Sequence, residues 1–174
     1  MNQSLQENTL EARLPALDLT ASFFADKQQQ SAVGEKYIAF LLGEEFYAVS
    51  TKKVIEVTSS LAIALLPNAP AWLLGIANLR GEIVSVLNLP MIFGKPNSTL
   101  RPKSKFIVLR SPAFEFGAAF AADRLYEIVT LPDEKIQSVK DENSPFVFGK
   151  AAHQSHALNL IDTEELLASL KISP

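Results

Sequence analysis

The chain carries two histidines, His153 and His156, three positions apart. Such a pair can ligate a metal ion only with a third donor close by, and the surrounding residues offer none, so both read as exposed loop histidines. With no cysteine in 174 residues, thiol nucleophiles, thiolate zinc sites, iron–sulfur clusters and disulfides are all excluded. Carboxylates come close together at Asp123 and Glu127 and at Glu44 and Glu45. No nucleophile accompanies them, and they read as solvated hairpin side chains. Gly75 and Gly81 bracket a segment without the Lys and Ser/Thr that a phosphate-binding loop requires. These residue types point to a non-enzymatic protein with no metal and no cofactor.

Arg80 is the residue best suited to binding. Upstream, Pro67 and Pro70 fix an extended lead-in. Gly75 permits close backbone approach or a positive φ. Arg80 and Gly81 then suit a two-residue hairpin tip or its edge, with Gly81 in the left-handed region. An arginine there holds a planar, permanently charged fork at the surface, suited to a carboxylate or backbone carbonyl of a partner. Internal pairing with Glu82 or Glu56 competes with that use, and the sequence alone does not choose between them.

The elements that would carry these residues are mostly short strands. Runs at 37–42, 46–49, 53–57, 83–89, 106–109, 116–121 and 125–129 are apolar or alternating, with turn residues between them. Residues 163–170 form the one clear helix, with Asp162 or Thr163 as N-cap and Glu164 and Glu165 in its first turn. Residues 1–35 are polar and rich in Gln, Asn and Glu, and read as a flexible tail; Phe23 and Phe24 leave a docking segment open. The first eleven residues lack a basic region followed by an apolar run, and no stretch approaches the ~20 apolar residues of a membrane span. A soluble, cytoplasmic protein is expected. Its net charge of −3 and pI near 5.4 argue against nucleic-acid binding.

The chain also repeats itself. Lys36-Tyr37-Ile38 parallels Lys105-Phe106-Ile107, and Val54-Ile55-Glu56-Val57 parallels Leu125-Tyr126-Glu127-Ile128. Leu74-Gly75-Ile76-Ala77 matches Phe148-Gly149-Lys150-Ala151, and Leu87-Asn88-Leu89 matches Leu158-Asn159-Leu160. Two copies suggest two small β-barrels packed side by side, because closure removes exposed strand edges. Most of the eleven Phe must then fill cores. Trp72, Leu73 and Phe93 are candidates for exposure at a partner surface.

The stretch Gly75-Ile76-Ala77-Asn78-Leu79-Arg80-Gly81 resembles the Gly-x-x-Asn-Leu-Arg-Gly signature of CheW-like domains. The run from Phe40 through Gly43 to Val49 is similar to that family's opening hairpin, and residues 120–129 and 157–167 to its later elements. The resemblance spans about residues 36–170. It implies an all-β fold of two intertwined, five-stranded SH3-like barrels with a short C-terminal helix. It also implies an adaptor that joins the cytoplasmic tip of a methyl-accepting chemoreceptor to the regulatory domain of a CheA-type histidine kinase. Receptor arrays at the membrane would recruit it, without insertion of its own. The positions matching the family's partner-binding residues are Val54, Glu56, Gly75, Asn78, Arg80 and Gly81. Ser85 and Asn88 stand where the family usually has Pro and Asp, and Asn159 replaces a common acidic residue. Loss of the Asp is expected to give Arg80 a different internal partner. These departures point to a divergent paralogue, such as the adaptor of a pilus-based twitching or phototaxis system.

Overall fold

A computed structural model describes residues 33–96, 104–110, 117–140 and 145–170. The expected flexible tail lies outside the described residues up to position 32. Continuous apolar runs such as Tyr37-Ile38-Ala39-Phe40 are the mark of strands buried on both faces, and the fold uses them so. Strands β1 (Glu35–Leu42) and β2 (Glu45–Ser50) form the opening hairpin. A 3-10 turn at Thr51–Lys53, capped by the Ser50 hydroxyl, leads into β3 (Val54–Thr58). After the two-residue β4 (Ile63–Ala64) come β5 (Leu73–Leu79), β6 (Glu82–Leu87) and a single helical turn, α1 (Leu89–Ile92). The second half repeats the order with β7 (Lys105–Leu109), β8 (Gly117–Ala122), β9 (Arg124–Leu131), β10 (Ile136–Ser138), β11 (Val147–His153), β12 (His156–Ile161) and α2 (Thr163–Ser169).

The strands form two six-stranded sheets, ordered β10-β11-β12-β2-β1-β9 and β3-β7-β8-β6-β5-β4. Each belongs to one SH3-like subdomain, and neither closes into the five-stranded barrel expected: β9 and β10 are edges of the first, β3 and β4 of the second. Each sheet also takes its opening hairpin from the other copy of the repeat. β1 and β2 sit among β9–β12, while β7 and β8 sit among β3–β6.

Three apolar clusters follow from the alternation of side chains along strands buried on both faces. From β1, Tyr37 and Ala39 face a core inside the first sheet with Leu158 and Leu160. Ile38, Phe40 and Leu42 face the opposite way, into a larger core shared by both subdomains. From β7, Phe106 and Val108 turn into the second sheet's own core, and Ile107 and Leu109 into the shared one. Burying one such Phe or Ile contributes about 1.5–3 kcal/mol, so the shared core binds the two subdomains firmly. Phe93 belongs to that core at 6% exposure, and Trp72 and Leu73 pack against it. The expectation of an exposed Phe93 is therefore corrected.

The repeat holds in three dimensions with one change of alignment. β1 and β7 meet β9 and β3 in equivalent registers, with bulges at equivalent places, so that Val54 matches Leu125 and Glu56 matches Glu127. β5 and β11 carry matching bulges at Gly75 and Gly149, which makes Leu87 equivalent to Ile161 and Asn88 to Asp162. The match of Leu87-Asn88-Leu89 with Leu158-Asn159-Leu160 is thus displaced by three residues. The true counterparts, Asn88 and Asp162, are the N-caps of α1 and α2.

Candidate partner-binding site

The β5–β6 hairpin turns on two residues, Arg80 at φ 54° and Gly81 at φ 91°. Positive φ at both central positions is the type I′ geometry that matches strand twist. Asn78 fastens the tip: its Oδ1 accepts a hydrogen bond from the Gly81 N–H at 3.0 Å. Gly81 relieves the strain at one position, and Arg80 bears it at the other, at a cost of about 1–2 kcal/mol.

Glu56 reaches this tip from β3. A bulge between Val54 and Glu56 leaves Ile55 as the extra residue, 45% exposed. Past the bulge, the Glu56 carboxylate stands 3.1 Å from Arg80 Nη2. The Arg80 side chain is 80% exposed and that of Glu56 20%. In the sheet order β7 and β8 lie between β3 and β6, so the pair ties together strands that no backbone ladder joins. On the same rim Glu82 faces Arg110 at 3.9 Å. The result is a hairpin tip framed by two carboxylates and two guanidinium groups. Of the two internal partners open to Arg80 on sequence grounds, Glu56 takes it, and Asn88 has no bearing on the choice. Asn88 is buried at the far end of β6, ~20 Å along the strand, where its N–H donates to the Trp72 carbonyl at 2.7 Å.

Thus the structure gathers Glu56, Asn78, Arg80 and Gly81 at one rim. Val54 sits beside them across the bulge, half-buried against the shared core. Gly75 does not join the group. It lies at the other end of β5, where a Cβ would come within 2.3 Å of the Ala64 carbonyl oxygen. At φ 150° it lets β4 pair against the bulge.

The first subdomain, which holds β9, β11 and β12, carries a counterpart that sequence reasoning missed. By the β5–β11 alignment Gln154 is equivalent to Arg80, and at φ 52° it shares the left-handed conformation. Its Nε2 donates to Glu127 Oε1 at 2.8 Å, Glu127 being the equivalent of Glu56. His153 Nε2 lies 3.0 Å from the same oxygen, and His156 stacks on Phe46 with ring centroids 4.1 Å apart. Both histidines therefore end strands and are half-buried, not exposed in a loop. A tie from hairpin tip to bulged strand is thus built twice, once with a charge and once without. The signal was present in the repeat of Glu56 as Glu127. It needed the correct hairpin alignment to extend it to Gln154.

A family model described as CheW-like domain matches residues 36–171. Chemotaxis protein CheW of Helicobacter pylori is 23% identical over 154 residues, covering 82% of this chain and 92% of that protein. Protein PilI of Pseudomonas aeruginosa is 24% identical over 126 residues, 70% of each chain. Among solved structures, scaffolding protein TtCheW from Thermoanaerobacter tengcongensis superimposes with a TM-score of 0.67 at 26% identity, covering 74% of this chain and 89% of that one.

Proposed function

Because the chain belongs to the CheW-like domain family, we propose that it joins the cytoplasmic tip of a methyl-accepting chemoreceptor to the regulatory domain of a CheA-type histidine kinase. Scaffolding in chemotaxis-type signalling is the family's role, and the mechanism is geometric. The two subdomains share one core, so partners on different faces are held at a fixed separation and angle. Receptor conformation then reaches the kinase through that frame. No step requires a nucleophile or a cofactor. Residues 36–170 carry this role.

The observation that carries the reading is the exposed charged rim at Arg80. Four of the six family-matching positions converge there, with Val54 alongside. The Arg80 guanidinium keeps donors beyond the one aimed at Glu56, and at 80% exposure they are open to a carboxylate or backbone carbonyl of a partner. Among the described residues no helix is long and apolar enough to cross a membrane. A cytoplasmic protein recruited to receptor arrays fits the proposed partners. The similarity to PilI as well as to CheW is consistent with control of either pilus-based or flagellar movement.

Calorimetric titration of the chain with a CheA-type regulatory domain and with a receptor tip, all from one source, tests the proposal. Saturable binding to both is expected. Absence of binding to either at high micromolar concentration would sink the bridging role and leave the fold assignment standing.

A further inference from the structure

The exchange of hairpins between the two copies of the repeat leaves neither copy able to complete a sheet alone. The first copy spans β1 to α1 and the second β7 to α2. Four ladders cross between them, and they come in equivalent pairs. β1·β9 and β3·β7 are antiparallel, and β2·β12 and β6·β8 are parallel. The shared core is divided the same way. Ile38, Phe40 and Leu87 come from the first copy, and Ile107, Phe120 and Leu166 from the second. Phe40 and Phe120 meet across the divide with ring centroids 5.3 Å apart. Such an interface, in which each ladder recurs with the roles reversed, has the isologous pattern formed by two-fold dimers.

Only the connection from Lys95 to Ser104 makes the two copies parts of one chain. Its start is anchored within the first copy, where Lys95 pairs with Glu45 and lies 5.3 Å over the Tyr47 ring. None of the crossing ladders depends on that connection.

We infer that the two copies recognise each other between chains as well as within one. The partner is a second copy of this chain, in a reciprocal dimer where the first copy of each chain closes on the second copy of the other. The sheet carrying Glu56 and Arg80 then receives β7 and β8 from the partner chain, so each binding rim is completed by the other chain. A short connection holds the copies together at an effective concentration on the order of 1 mM. Dilute native chain is therefore monomeric, and exchange becomes visible when the intrachain pairing is spoiled or the chain refolds at comparable concentration.

Two full-length variants test this. Phe40→Asp spoils the first copy and Phe120→Asp the second, each placing a carboxylate in the shared core, so each variant alone is expected to be unfolded. Unfolded together and refolded as a mixture, they are expected to recover up to half the wild-type circular dichroism, in a species with the mass of two chains by light scattering. A mixture that stays unfolded, under conditions where wild type refolds, overturns the inference. The second arm needs no variant. Two wild-type preparations of different isotopic mass, unfolded together and refolded at ~1 mM, are to yield dimers of mixed mass by native mass spectrometry. Monomers alone, or dimers that never mix, would overturn it as well.

Discussion

Replacing Arg80 with glutamine separates the two jobs that the rim assigns to it, because the molecule already contains the result. Gln154 occupies the equivalent tip, adopts the same left-handed backbone and still bonds to Glu127. Arg80→Gln should therefore keep the tie to Glu56 and lose only the charge. The stability cost is small. An ion pair with one side chain 80% exposed is worth about 0–1 kcal/mol, and the substitution adds no backbone strain. For a chain of this size that is a fall in melting temperature of roughly 2–4 °C at most. A charge-assisted contact to a partner is worth about 1.5–3 kcal/mol, or roughly a tenfold to 150-fold loss of affinity. Urea denaturation and calorimetric titration on the same preparation measure both quantities. Arg80→Asp should weaken binding further by setting a second carboxylate against Glu56. A stability cost above about 2 kcal/mol for Arg80→Gln, or unchanged affinity for both partners, would show that Arg80 does not divide its roles in this way.

Gly75→Ala drives a methyl group against the Ala64 carbonyl and forces a residue with a Cβ to φ 150°, so a loss of about 3 kcal/mol is expected in urea denaturation. Binding by the fraction that remains folded should match wild type, in keeping with a structural glycine. Asp162→Ala removes the cap whose Oδ1 accepts from the Glu164 and Glu165 N–H groups at 3.0 and 3.1 Å; about 1 kcal/mol should be lost, with early hydrogen exchange in α2. Acid should destabilise the protein through two carboxyls held below their ordinary range, Glu45 by the bond from Lys95 and Glu35 by bonds from Ser50 and Lys52. Groups depressed on folding contribute fully above their unfolded value of about 4.3 and lose that contribution as pH falls through the folded value. The urea midpoint should therefore hold from pH 7 to pH 5 and drop toward pH 3, less steeply in Glu45→Gln.

What the sequence made legible depended on whether a feature was local. The strands of β1 and β7 show as unbroken apolar runs because both their faces are buried. The tip shows because Gly81 supplies one of the two positive-φ positions that a type I′ turn needs. The Asp162 cap and the Glu-rich first turn mark α2 in the same local way. β4 and β10, at two and three residues, are too short to carry a period. The choice of Glu56 over Glu82 depends on a sheet that brings β3 to the β5–β6 tip, and adjacency in sequence favours the wrong residue. The repeat told which segments correspond. It did not tell which pair, because β1 against β9 and β1 against β3 would bury equally apolar faces. The displaced match at Leu87 came from aligning residue letters, where the bulge glycines Gly75 and Gly149 set the frame.

Recruitment to receptor-bearing membranes is the most direct test of the proposed bridge between receptor and kinase. Vesicles carrying the chemoreceptor would be sedimented with CheA-type kinase, with and without the chain. The kinase is expected to pellet only when the chain is present, and Arg80→Gln to shift the required concentration upward by at least tenfold. Kinase that pellets equally well without the chain, or stays in the supernatant with it, would rule out the bridging role.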